Sequence, residues 1–217
     1  MEHIKMKRYD AIIIGGGYRA LGWMTAAGGE NLVICESIYP DEFSSCLRRA
    51  TDRCETEAGK RLKDEFSARG LIRNGITDTV RGAKIACEMY EKLGAEVLYN
   101  TFVKSVSETS VTVANDDGTT SFEAKRVIDL RPSDGKFYWN VITEGRQDGC
   151  LEHFYDDLGI LRLEFSGDFA DAREKLEAEL RRRPELKVVI SAAEAERGGE
   201  SSPFAAFEQG YKSAKGL

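Results

Sequence analysis

The chain has 217 residues, 41% of them hydrophobic and 31% charged, and a formal net charge of −6 at pH 7. That size suits one domain, or one domain with an insertion, of ordinary globular composition, and the acidic balance argues against nucleic acid as the main partner. No apolar run reaches the roughly eighteen residues a membrane span needs, and "MEHIKMKRYD" at the start lacks the features of a secretory leader.

The first element is a strand. Ala11 to Ile14 are continuously apolar, as in a parallel strand buried on both faces. Three glycines follow, then a helix expected over Tyr18 to Ala27, with Ala20, Leu21, Met24 and Ala27 at helical spacing and Gly28-Gly29 as its stop. Leu32 to Cys35 reads as a second buried strand, which completes a βαβ unit. Pro40 to Gly70 is polar and weakly patterned, with helical character from Glu55 to Ala68. Asp78 is positioned to cap a stronger helix with Val80, Ala83, Cys87 and Tyr90 on one face and Gly94 at its end. Glu96 to Tyr99 reads as a third strand.

A small antiparallel meander comes next, in "TFVKSVSE", "TSVTVAND" and "TTSFEAKR", with Asn115 to Gly118 as a hairpin turn. "RVIDL" returns to a buried-strand pattern and ends at Arg131-Pro132. From Lys136 the character changes. "KFYWNVIT" and "ILRLEFSG" read as half-exposed strands, Leu161, Leu163 and Phe165 alternating with Arg162 and Glu164. Ala170 to Arg183 reads as a charged helix facing the core with Ala172, Leu176 and Leu180. "LKVVIS" reads as one more buried strand, and Ser202-Pro203 opens a last helix as N-cap and first residue.

Five cysteines, an odd number without any C-x-x-C, point to reduced thiols and a cytoplasmic setting. Only two histidines, His3 and His153, are present, so neither a zinc site nor a Ser-His-Asp site is expected.

The chemistry-bearing stretch is Gly15-Gly16-Gly17-Tyr18-Arg19-Ala20, which reads G-x-G-x-x-A. Gly15 allows the turn off the strand, Gly17 lets a diphosphate approach the backbone, and small Ala20 lets the helix pack close to the sheet. The helix N-terminus then offers N–H groups and partial positive charge. Glu36 lies 21 positions after Gly15, at the end of the second strand, where a carboxylate accepts hydrogen bonds from a ribose diol and repels a 2′-phosphate. Tyr18 and Arg19 complete the candidate cofactor-binding set from this turn. A glycine-rich turn that binds nothing is the structural alternative.

This order of motifs resembles the FAD-dependent oxidoreductases of glutathione-reductase type, the flavoproteins with two dinucleotide-binding domains. The glycine turn with Glu36, "KLGAEVLYNTFVKSV", the meander and the following strand carry the likeness, over most of residues 9–131 and 186–214. It implies an α/β, Rossmann-like three-layer fold, with helices on both faces of a parallel sheet, the meander, and a small α+β insertion. The corresponding domains are 1–132 with 186–217, and 133–185. The resemblance also implies FAD as cofactor, with NAD or none as alternatives. Val103 would then meet the adenine through its backbone, and Ala193-Glu194 would stand where the family has Gly-Asp. "DLRPSDG" departs from the family's Ala-Thr-Gly ending, no second G-x-G-x-x-G is present, and no C-x-x-C supports disulfide chemistry.

The resulting expectation is an FAD-binding, oxidoreductase-like protein acting on a small molecule, with no metal and with a homo-oligomer compatible. The alternatives are a relative that keeps the fold as a binding module without turnover, and a βαβ unit that takes a smaller adenine nucleotide. Tyr138, Trp139, His153, Phe154 and Tyr155 of the insertion are candidates to wall a substrate pocket. His153 is the weak candidate for proton transfer, against an ordinary role as a surface or hydrogen-bonded residue. Asp156-Asp157 reads as a turn, Cys46 with Cys54 as a minor redox candidate, and Arg181 to Arg183 as cations suited to a helix end.

Overall fold

The computed structural model describes residues 8–36, 47–49, 54–73, 75–131, 136–144, 152–155, 158–166, 169–191, 196–197 and 202–216. In chain order the first half comprises β1 (Arg8–Tyr9), β2 (Ala11–Ile14), α1 (Tyr18–Ala27), β3 (Asn31–Ile34), β4 (Leu47–Arg49), α2 (Glu57–Ala68), β5 (Ile72–Arg73), β6 (Ile76–Asp78) and α3 (Thr79–Lys92). Then follow β7 (Glu96–Leu98), β8 (Phe102–Val106), β9 (Ser110–Asn115), β10 (Gly118–Ala124) and β11 (Val127–Asp129). The remainder comprises β12 (Lys136–Glu144), β13 (Glu152–Tyr155), β14 (Leu158–Ser166), α4 (Phe169–Arg182), β15 (Val188–Ser191), β16 (Glu196–Arg197) and α5 (Pro203–Lys215).

The centre is a parallel sheet in the order β11-β2-β3-β7, with Ile12 opposite both Val127 and Leu32. Successive strand residues point to opposite faces, and both faces here are apolar. Ala11, Ile13 and Val33 pack with Tyr18, Leu21, Leu62, Phe66, Ile85 and Phe207 of the helices. Ile12, Ile14, Leu32 and Ile34 pack with Tyr9, Val111, Val113 and Ala124, from the sheet β1-β10-β9-β8. Each fully buried isoleucine contributes about 1.5–3 kcal/mol relative to exposure, so β2 is held from both sides. The expectation of helices on both faces is corrected. Among the described residues the helices cover one face and the meander covers the other, because the alternate isoleucines of β2 need an apolar partner that the valines of β9 supply.

Aromatic packing organises the helical layer. The ring of Phe66 (α2) meets Tyr18 (α1) at 5.9 Å and Phe204 (α5) at 5.2 Å, both edge-on. Gly82 brings α3 onto the same ring, since a Cβ there would lie 2.6 Å from Phe66 Cε1. The α1–α5 crossing is tighter still. A Cβ on Gly22 would lie 2.0 Å from the Phe207 carbonyl oxygen, and one on Gly210 would lie 1.9 Å from that of Arg19. The last helix is therefore seated backbone to backbone on the first.

Helix ends follow their side chains. Asp78 accepts from Arg81 N, Thr56 from Gly59 N and Ser202 from Ala205 N, each as an N-cap. On α3 the buried stripe is Gly82, Ala83, Ile85, Ala86 and Tyr90, while Val80 is exposed. The expected stripe of Val80, Ala83, Cys87 and Tyr90 is thus rotated, because the contact with α2 is made at Gly82.

The second half forms another sheet, β13-β14-β12-β15, with β16 also pairing with β12. "LKVVIS" was expected as one more buried strand. Instead β15 pairs antiparallel with β12, and Val188 and Val189 are exposed. The pairing of β15 and β16 with β12 carries this sheet to Arg197. Leu176 of α4 is buried as expected. The weakly patterned stretch before residue 70 contributes β4 to a small sheet, β4-β6-β5, that local pattern did not reveal. No helix among the described residues is long and apolar enough to cross a membrane.

Candidate functional site

The site lies along one edge of the parallel sheet, where β2, β3, β7 and β11 all end. The chain leaves β2 toward β3 on one side, and later returns as β11 on the other side. In an open α/β sheet such a switch of direction leaves a crevice at the carboxyl ends of the strands.

Gly15 makes the turn at the end of β2. Its φ of +97° suits glycine, and its N–H donates to the Ile34 carbonyl at 3.0 Å. Gly16 turns its Cα toward Cys35, where a Cβ would lie 1.9 Å from Sγ. Gly17 is the N-cap of α1, with an extended backbone and no side-chain cap. The first-turn amides of a helix have no partner within the helix, and at this end no capping side chain competes for them. No acidic residue sits in the first turn either, so the positive end of the helix dipole is not neutralised there.

Tyr18 and Arg19 follow this turn, but their side chains face the protein. Tyr18 is fully buried, and its hydroxyl donates to the Gly82 carbonyl at 3.0 Å. The Tyr90 hydroxyl donates to the Gly17 carbonyl at 3.1 Å and fixes the turn from α3. Arg19 Nη1 donates to the Leu130 carbonyl at 2.9 Å, tying α1 to the end of β11. Tyr18 therefore offers a ligand only its main chain. Ala20 is buried where α1 meets the sheet.

Glu36 follows β3 and buried Cys35, and its side chain is 42% exposed. One of its oxygens, Oε1, accepts from Arg131 Nη1 at 3.1 Å. Asp129, at the end of β11, grips the same guanidinium through Nε at 3.0 Å and Nη2 at 2.7 Å, and also accepts from Arg131 N at 3.1 Å. Burial pushes the Asp129 carboxyl up, but the hydrogen bonds and charge of Arg131 outweigh that and hold it below its ordinary value. Arg131 is raised in turn, chiefly by Asp129, against the opposing effect of burial. Its side chain lies over the turn, since a Cβ on Gly15 would come within 3.4 Å of Arg131 Cγ.

The other expected site residues divide. Val103 is half-buried in β8 opposite Val113, and it packs against the meander face of the core. His153 lies in β13, the edge strand of the second sheet, opposite Gly159. Glu194 lies outside the described residues, as do Asp156-Asp157 and Cys46. Cys54 is a buried thiol. Arg181 of α4 and Arg183, just past its end, form ion pairs with Glu177 and Glu179 of that helix. No cluster of potential metal ligands occurs among the described residues. A cavity of about 650 Å³ is lined by Arg69, Leu71, Val80, Arg81, Ala83, Lys84 and Cys87, none of which belongs to the glycine turn.

The Asp129–Arg131 pair is the part of the site that motif reading missed. The available signal was positional: both residues stand at the end of a strand parallel to β2, so they share an edge with the glycines.

The Gly16–Cys35 contact yields a direct prediction. Gly16→Ala is expected to destabilise the protein by about 1–3 kcal/mol, the usual cost of overpacking, because its methyl meets a buried sulfur. Adding Cys35→Ala removes that sulfur, so the double variant should melt above Gly16→Ala alone. Equal melting temperatures for the two would show that Cys35 is not the obstacle.

No protein-family model and no curated protein sequence matches the chain. Solved structures do. The anhydrotetracycline hydroxylase OxyS from Streptomyces rimosus is 16% identical with a TM-score of 0.58, over 96% of this chain and 62% of that one. Aklavinone-11 hydroxylase, solved in a ternary complex with FAD and aklavinone, is 14% identical with a TM-score of 0.51, over 95% of this chain and 61% of that one. Glycine oxidase from Geobacillus kaustophilus is 12% identical with a TM-score of 0.53, over 96% of this chain and 93% of that one. The chain spans about three-fifths of the length of either hydroxylase. Identities this low speak to architecture, and the architecture is the Rossmann-like α/β fold that these proteins share.

Proposed function

We propose that the protein binds FAD at the carboxyl edge of the parallel sheet and serves as an oxidoreductase-like unit acting on a small molecule. The observation that carries this reading is the pairing of an uncapped helix N-terminus at Gly17 with the exposed carboxylate of Glu36, on adjacent strands of one edge. The residues present fit a dinucleotide. The α1 amides bind the diphosphate, and Glu36 Oε2, which accepts no bond among the described residues, accepts from a ribose hydroxyl. The structural neighbours include a hydroxylase solved with FAD, which supports a flavin over a nicotinamide. The finer kinship with the glutathione-reductase type rests on the order of motifs in the sequence. A bound flavin supplies the redox chemistry; the chain binds it, orients it and excludes water.

A second reading, a binding module that keeps the fold without turnover, is favoured by Arg131. That residue satisfies one oxygen of Glu36 from within the protein.

Purified protein distinguishes the two. Flavin binding predicts an absorption band near roughly 450 nm, a property of the cofactor itself, or its appearance together with quenched flavin fluorescence after FAD is added. Protein that stays colourless and takes up no added FAD would leave only the second reading.

A further inference from the structure

The guanidinium of Arg131 has more hydrogen-bonding capacity than the protein uses. An arginine carries five N–H donors. Nε and one hydrogen of Nη2 go to Asp129, and one hydrogen of Nη1 goes to Glu36. Two donors therefore remain without an acceptor among the described residues. The group is also held in place. Asp129 binds it through both carboxylate oxygens, the geometry in which a guanidinium–carboxylate pair is strong and directional. Its stem rests on Gly15, so the cation stands between the diphosphate end of the site and the ribose end.

Charge points the same way. Glu36 and Asp129 are both anionic, and a dinucleotide adds two further negative charges. Arg19, bound to the Leu130 carbonyl, and Arg131 both stand at this end of the sheet, and Arg131 is the one in contact with Glu36. Arg131 meets Glu36 through a single bond at 3.1 Å but Asp129 through two, at 3.0 and 2.7 Å, so the Glu36 contact is the one that gives way when a ribose hydroxyl arrives.

We propose that Arg131 is a ligand-binding residue, positioned by Asp129, whose two remaining N–H groups donate to phosphate or ribose oxygens of a bound adenine dinucleotide. The inference rests on the proposed FAD site and names a contact that the glycine motif does not contain. It gives the altered "DLRPSDG" ending a role, replacing backbone approach at that strand end with an anchored cation.

The test is calorimetric titration of the full chain with ADP, at low and at physiological ionic strength. Wild-type protein, Arg131→Gln, Arg131→Lys, Asp129→Asn and Gly17→Val are compared, with a thermal melt of each. Arg131→Gln keeps the stem on Gly15 and should weaken ADP at least about tenfold, the loss expected of one charge-assisted hydrogen bond, with a shallower salt dependence. Arg131→Lys should fall between it and wild type. Asp129→Asn should also weaken ADP, because the cation loses its anchor, although the substitution removes a negative charge. Equal or tighter binding by Arg131→Gln would overturn the proposal and show that the guanidinium competes for Glu36. Tighter binding by Asp129→Asn would overturn the positioning role. If wild type binds ADP and Gly17→Val does not, the site itself stands whatever Arg131 does. If wild type binds no ADP, both the site and the proposal fall.

Discussion

Replacing Gly17 with valine is expected to abolish FAD binding while the protein still folds. The backbone at this N-cap is extended, with φ −125° and ψ −162°, a conformation open to any residue. Valine therefore imposes no strain of the kind alanine would meet at Gly15, where φ is positive. Gly17 is itself buried, with the Tyr90 hydroxyl on its carbonyl, so valine crowds the turn as well as the approach of a ligand. Its branched side chain stands at the helix end, where the diphosphate must come within hydrogen-bonding distance of the amides. Each charge-assisted bond lost costs about 1.5–3 kcal/mol, so losing two reduces affinity by more than about a hundredfold. Flavin retention after purification, read beside the melting temperature, checks both halves. A Gly17→Val protein that retains FAD with wild-type affinity would place the diphosphate elsewhere.

The largest effect on folding is expected at the crossing of α1 and α5. Alanine normally stabilises a helix relative to glycine by about 1 kcal/mol. At Gly210 that gain is set against a methyl 1.9 Å from the Arg19 carbonyl oxygen, and at Gly22 against one 2.0 Å from that of Phe207. The obstacles are main-chain atoms within two regular helices, so no rotamer change relieves them and the helices must separate. Separation loosens Phe204 and Phe207, which are almost fully buried. Gly22→Ala and Gly210→Ala are each expected to cost about 3 kcal/mol or more net, the upper end of the overpacking range. For a chain of this size that lowers the melting temperature by roughly 6–12 °C. The double variant should cost less than the sum, because helices already forced apart accommodate a second methyl. Thermal melts of the three proteins decide it. Single variants as stable as wild type would mean that the helices do not meet at these glycines.

The same crossing bears on the site. Arg19, whose carbonyl Gly210 faces, reaches across to Leu130, next to Arg131. The last helix thus backs the turn that presents the amides, and a variant that moves α5 should also weaken ADP.

Local sequence was sufficient for α1, which runs from Tyr18 to Ala27 as expected, and for the capped ends at Asp78 and Ser202. It was also sufficient for the meander and its turn, where Asn115 lies opposite Gly118. These features depend on short-range physics: the positive φ that glycine tolerates, the reach of a capping side chain, and the alternation or period of apolar residues. The glycine turn and Glu36 were legible for the same reason, since strand, turn, helix and strand are consecutive and their spacing brings the two to one edge.

Other features became visible only in three dimensions. That "LKVVIS" joins β12 rather than the parallel sheet depends on which apolar edge is available, and a short apolar run carries no label for its partner. That Tyr18 turns inward depends on the Gly82 carbonyl, 64 positions away. The clamp of Asp129 and Arg131 on Glu36 joins residues 95 positions apart, because parallel pairing of β11, β2 and β3 brings their carboxyl ends together. The sequence by itself determined where a glycine turn opens onto a helix N-terminus beside Glu36. Only the tertiary structure decided which charged groups surround it, because charges converge through sheet order, which no local spacing encodes.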